Sequence, residues 1–195
     1  MKNTDERLQL KAVKHYPSMS EETTCFEGKL YLDGKLLGRV VNHGTGGEHE
    51  FCFSWDKVKL LEEYAKTQPM YCWSDGTEFI TIEDGQSTTS KWSHQDAEMV
   101  VNNLLEDWLD KDSMKKALRK GVVLMHKDEP SKYSTISFRD YPILRRQPLD
   151  IRNAKWFDDN KYTILNTLSP RDQIDTWTKG NNDDLFRYKV LKESA

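Results

Sequence analysis

The sequence predicts an α+β protein: a mostly antiparallel sheet that starts as an N-terminal β-meander and packs against two or three helices. Three observations carry this. Apolar residues alternate through 24–42 around an Asp-Gly dipeptide, apolar residues recur at spacings of three and four after Asp56 and again after Ser93, and the alternating pattern returns beyond residue 120.

The hairpin is the strongest local signal. Phe26, Gly28, Leu30 and Leu32 alternate on one face; Asp33-Gly34 supplies the positive φ angles of a type I′ turn, and Leu36, Gly38 and Val40 are expected to resume the face. Before it, Leu8, Leu10 and Ala12 alternate in a first strand. After it, His49, Phe51, Phe53 and Trp55 share a face of a fourth. Asp56 can cap a helix to about Thr67, with Val58, Leu61 and Ala65 on its buried stripe and Gln68-Pro69 as its stop.

A short strand at Glu78–Ile82 and a polar loop, EDGQSTTS, come next. Ser93 is then the expected cap of a second helix with Ala97, Val100, Val101, Leu104, Leu105, Trp108 and Leu109 on its apolar face and His94 in its first turn. A shorter helix at about 112–120 is expected to end at Gly121 in a left-handed cap. GVVLMHKDEPSKYSTISF reads as two strands about a turn, KYTILNTL as another, Pro170 as the start of a helix to Lys179, and LFRYKVL as a final strand. With no Pro/Gly/Ser linker, low-complexity tract or repeat, 1–195 reads as a single domain, subdivisible into 1–90 (meander plus helix) and 91–195 (helices plus C-terminal strands).

Charge narrows the function classes. The net charge of −3 excludes a generally basic nucleic-acid binder and a strongly acidic mimic of nucleic acid. It also hides a division: residues 43–90 hold three Lys/Arg against nine Asp/Glu, and residues 131–171 hold eight against four. No apolar run is long enough for a membrane helix, and the polar start MKNTDERLQL lacks a secretory core, so a soluble cytoplasmic protein without membrane partners is expected. Three cysteines without a CxxC make neither a disulfide framework nor a cysteine-based zinc site.

The stretch from Asn42 to Glu50 most resembles a site. Gly44, Gly46 and Gly47 let the backbone approach a ligand, and His43, Glu48 and His49 are the candidate catalytic residues. In an extended chain Glu48 and Glu50 face one way and His49 the other, so these groups diverge. Zinc would need about four ligands, drawn from His43, Glu48 or Glu50 with Cys52, Cys25 or Cys72, and the reading is no metal and no cofactor. The glycines lack P-loop spacing and lead into a strand, and no GxSxG elbow or catalytic cysteine context occurs. Asn42, Gly44, Gly46 and Gly47 therefore read first as an irregular connection, and as ligand-contacting residues second.

The basic segment offers a different chemistry. Arg139, Arg145, Arg146, Arg152 and Lys155 alternate with Tyr133, Phe138, Tyr141, Trp156, Phe157 and Tyr162. Cations and rings bind single strands, but Arg, Tyr and Trp are equally the residues of protein interfaces, and the overall charge favours protein.

Ser20-Glu21-Glu22-Thr23-Thr24-Cys25-Phe26, Leu30-Tyr31-Leu32-Asp33-Gly34-Lys35, Gly38 and Asn42-His43-Gly44-Thr45-Gly46-Gly47 resemble a family of small uncharacterised bacterial and bacteriophage proteins, over about a sixth of the chain. The resemblance implies a phage or mobile-element context, in which small proteins act by binding a host protein, and implies no activity or catalytic residue. The expectation is a non-enzymatic protein-binding or inhibitory protein directed at a host defence factor in the host cytoplasm. The alternatives are a hydrolase or nuclease acting on a phosphorylated substrate at 42–50, and a nucleic-acid-binding protein.

Overall fold

The computed structural model describes residues 7–73, 78–83, 86–129, 132–155, 157–181 and 188–190. Strands β1 (Leu8–His15), β2 (Phe26–Leu32), β3 (Lys35–Asn42) and β4 (Glu50–Cys52) form one antiparallel sheet in sequence order, so the architecture is α+β and opens with the meander. Asp33 and Gly34 take φ values of 49° and 75°, and Leu32 pairs directly with Lys35, as a two-residue type I′ turn requires.

Two bulges interrupt the simple alternation. Leu30 pairs with Gly38 but Tyr31 pairs with Leu36, leaving Leu37 as the extra residue. Leu37 is thereby buried and Leu36, expected in the core, is exposed. In β1 the register slips between Lys11 and Lys14, and Ala12, at φ 51°, is exposed where the alternation placed it inside. Gly28 and Gly38 lie where a Cβ would meet Leu10 Cδ1 at 2.8 Å and Phe53 Cδ1 at 2.6 Å, so both admit close packing from a neighbour.

Helix α1 (Trp55–Lys66) follows from Ser54 at the cap position, two residues before the expected cap Asp56, which lies instead in the helix's first turn. Trp55 is the first helical residue and 79% exposed, outside the core face expected for it. Leu61, Tyr64 and Ala65 are buried at the three-and-four spacing. Lys57 Nζ donates to the Leu37 carbonyl at 2.7 Å, which ties the first turn of the helix to β3.

Strand β5 (Tyr71–Trp73) precedes a hairpin of β6 (Phe79–Glu83) and β7 (Gln86–Ser90). The expected polar loop EDGQSTTS is therefore mostly strand: Glu83 pairs with Gln86, and only Asp84 and Gly85 lie outside the described residues. Thr88 and Thr89 are β-branched, and the Asp-Gly signal that turns the first hairpin also occurs here.

Ser93 does not cap the next helix; its backbone bridges to Tyr71. Asp96 does so, its carboxylate accepting from Met99 N–H at 2.8 Å, and His94 lies exposed ahead of the helix. Helix α2 (Ala97–Lys120) is continuous, merging two expected helices. The chain divides into two compact units within it: Ala97–Glu106 belongs to the first, with the meander and the later strand near residue 190, and Asp107–Lys120 to the second.

In the second unit, β8 (Gly121–His126) is the centre of an antiparallel sheet with β9 (Tyr133–Ser137) on one side and β10 (Tyr162–Ile164) on the other. Its first five residues are all buried because both faces are covered. Val122 and Leu124 join Phe138, Leu144, Ile151 and Ile164, whereas Val123 and Met125 join Met114, Leu165 and Trp177. Trp177 is on α3 (Pro170–Asn181). Gly121 is not a left-handed cap: it starts the strand, where a Cβ would strike the Ile136 carbonyl oxygen. Strand β11 (Tyr188–Val190) returns to pair with β5 in the first unit, and the rest of the expected final strand lies outside the described residues.

Candidate functional site

The glycine-rich connection between β3 and β4 is built on Asn42, buried at the end of β3. Its Oδ1 accepts from the Thr23 hydroxyl at 2.7 Å and from Gly44 N–H at 2.9 Å, and its Nδ2 donates to the Gly47 carbonyl at 3.3 Å. The Gly44 carbonyl in turn accepts three backbone N–H groups, from Glu21 (2.9 Å), Glu22 (3.0 Å) and Thr23 (3.3 Å). The segments Ser20–Thr24 and Asn42–Gly47 are thus locked onto each other. Gly44 runs at φ 85°, and a Cβ there would lie 2.7 Å from that of Cys25, so glycine is required on both counts.

The sequence candidates fall on opposite sides of this loop. His43 and Glu50 are exposed, with Nε2 and Oε2 3.3 Å apart, and Glu48 is exposed without joining them. His49 points the other way, packed edge-on against Phe26 (centroids 5.1 Å apart) and Phe51 (6.5 Å). Two histidine–carboxylate pairs result where sequence order implies one group of candidates. His49, Glu48 and His43 share no common centre.

Glu98, on the first turn of α2, is the residue that sequence reasoning missed. Its Oε2 accepts from the His49 backbone N–H at 2.8 Å, and its Oε1 lies 3.2 Å from His49 Nδ1. No sequence signal joins residues 49 positions apart; an acid in a helix's first turn is explained by the helix dipole alone. Burial pushes the His49 imidazole down to about 4, with the Asn102 side chain opposing, so the ring is neutral at physiological pH. Burial also raises the Glu98 carboxyl, reinforced by the charges of Glu48 and Asp96 and opposed by the hydrogen bond from the His49 backbone.

Chemically, His49 is a packed and sequestered group. Among the described residues, no hydroxyl or thiol nucleophile is hydrogen-bonded to the imidazole of the exposed His43–Glu50 pair. Cys52 approaches Glu50 Oε1 at 3.7 Å and Arg39 at 3.7 Å instead. Cys25 is buried, and among the described residues no group of three or more His, Cys, Asp and Glu is arranged to hold a metal.

The basic candidates belong to the second unit. A 3-10 turn at Pro142–Arg145 and another at Pro148–Asn153 follow β9, each opened by a proline whose fixed φ suits the first position. Leu144 and Ile151 turn inward to the core, while Tyr141, Ile143 and Leu149 remain 59%, 56% and 47% exposed. Arg139, Arg145, Arg146, Arg152 and Lys155 are all exposed. Arg145 stacks on the Phe138 ring at 5.5 Å and Arg152 pairs with Asp159 at 3.0 Å. Trp156, the remaining candidate, lies outside the described residues. Among the described residues no helix is long and apolar enough to cross a membrane. Comparison with known proteins finds no matching family, no matching curated protein and no matching solved structure.

Proposed function

We propose that this chain is a non-enzymatic protein-binding protein that acts by occupying a surface of a host protein. The observation that carries the reading is the run of exposed Tyr141, Ile143 and Leu149 among exposed arginines, a composition of ring, aliphatic and guanidinium groups that forms interface hot spots. The loop at 42–50 supports it from the other direction, because Asn42 bonds to Gly44 and Gly47 across it and to Thr23. The resemblance at residues 18–50 implies a bacterial host protein as the partner class. Immobilised chain incubated with bacterial lysate should retain a partner at low salt and release it as salt rises. Recovery of no protein at low salt refutes the reading.

The exposed His43–Glu50 pair favours a second reading, hydrolysis of a phosphorylated substrate. It predicts turnover of a generic phosphodiester that disappears in His43→Ala with the fold intact. No turnover by the unmodified chain removes it.

A further inference from the structure

The two 3-10 turns of the second unit carry a more specific statement about the partner, one that rests on the protein-binding reading. We infer that the segment from Phe138 to Ile151 docks an acidic, amphipathic stretch of a partner protein, its aliphatic side chains on Ile143 and Leu149 and its carboxylates on Arg139 and Arg146.

The cations of the segment are not equivalent. Arg152 is held by Asp159, and Arg145 lies over the Phe138 ring, whereas Arg139 and Arg146 make no ion pair with a described residue. Along the segment these two exposed guanidiniums alternate in sequence with the exposed Ile143 and Leu149, and with Asp140 and Asp150 included the segment from Phe138 to Ile151 keeps a net positive charge. Charge complementarity calls for an acidic partner, and the planar fork of arginine suits paired carboxylates.

The apolar groups are preorganised. Arg146 and Gln147 N–H both bond to the Ile143 carbonyl, and Asp150 N–H bonds to that of Gln147, so the outward side chains sit on a backbone already ordered. Leu144 and Ile151 anchor the same turns in the core from the opposite side. A partner docking here orders little backbone, which lowers the entropic cost of association.

The rings argue against a nucleic-acid strand. Stacking of successive bases needs several open ring faces. Phe138 is buried beneath Arg145, Phe157 and Tyr162 pack against the core, and Tyr133 lies on Trp177 at 4.7 Å. Among the described rings of the segment, Tyr141 and Tyr133 are exposed, Tyr133 with one face against Trp177, and the exposed groups beside Tyr141 are aliphatic.

The test is fluorescence anisotropy of the full chain with three labelled probes of equal formal charge: a peptide alternating Glu and Leu, an oligoglutamate and a single-stranded oligodeoxynucleotide. The alternating peptide should bind at least about tenfold more tightly than either other probe, weakening as salt rises. Ile143→Ser with Leu149→Ser should erase its advantage over oligoglutamate, and Arg139→Glu with Arg146→Glu should weaken both peptides by about tenfold or more. All four side chains are exposed, and circular dichroism checks that the fold persists. Equal affinity for the two peptides, tightest binding of the oligonucleotide, or no binding of any probe overturns the inference. A lysate partner retained equally by the Arg139→Glu, Arg146→Glu chain removes this surface while leaving the protein-binding reading in place.

Discussion

Acidification should destabilise the first unit through His49. The imidazole protonates near 6.5 in an unfolded chain but only at about 4 in the fold, because its ring is packed between Phe26 and Phe51. A group whose folded pKa is depressed stabilises the fold fully above the unfolded value, and here that contribution drains away as pH falls from 6.5 toward about 4. At about 1.4 kcal/mol per tenfold change in proton affinity the total is bounded at about 3 kcal/mol, of which about 2 kcal/mol is lost by about pH 5. Glu98 acts with the opposite sign: its raised carboxyl adds stability below the unfolded 4.5, and this is lost as pH rises through its folded pKa. The net loss between about pH 7 and pH 5 is therefore smaller than the about 2 kcal/mol from His49 alone, against a stability of about 5–15 kcal/mol. Urea denaturation of the full chain at the two pH values measures it. His49→Gln lowers stability at both by losing ring packing but should flatten the difference between them, and Glu98→Gln should steepen it. In the unmodified chain the His49 imidazole proton resonances should not shift between about pH 7 and pH 5.5. Parallel pH dependence in the unmodified chain and His49→Gln, or a His49 resonance titrating in that range, refutes the buried neutral imidazole.

Three further outcomes follow from the loop and the helix start. Gly44→Ala should cost about 3 kcal/mol or more, since positive φ and collision with the Met19 carbonyl act together, whereas Gly47→Ala meets nothing within 4 Å and should cost about 1 kcal/mol for its φ of 90°; equal thermal destabilisation contradicts the packing account. Asn42→Ala strands the Thr23 hydroxyl and the Gly44 N–H and should cost about 2–3 kcal/mol, with faster proteolysis after Glu21 or Glu22 as the local readout. Asp96→Ala should lower stability by about 1 kcal/mol and Ser93→Ala by much less, a ranking that thermal denaturation reads directly.

The parts of the fold legible in the sequence are those whose cause is local. Asp33-Gly34 specifies its turn through φ alone, α1 follows from three-and-four spacing, and the run Gly121–His126 is apolar at nearly every position because both faces of its strand are covered. Where pairing intervenes, period-two reasoning fails: one extra residue at Leu37 exchanges inside for outside, and Ser93 loses a capping role to a backbone bridge with Tyr71.

The candidate site divides along the same line. Opposite placement of Glu48 and His49 was readable from the pleat, since neighbouring side chains in an extended chain leave on opposite faces. Long-range packing alone set Glu98 beside His49, turned the Gly44 carbonyl into the anchor for Glu21–Thr23, and hid Phe138 beneath Arg145 while leaving Ile143 and Leu149 open. Composition marked residues 133–162 as basic and aromatic; which of those groups face solvent was decided by the two-sided sheet against which the turns pack, because a side chain's availability depends on what covers it and not on its neighbours in sequence.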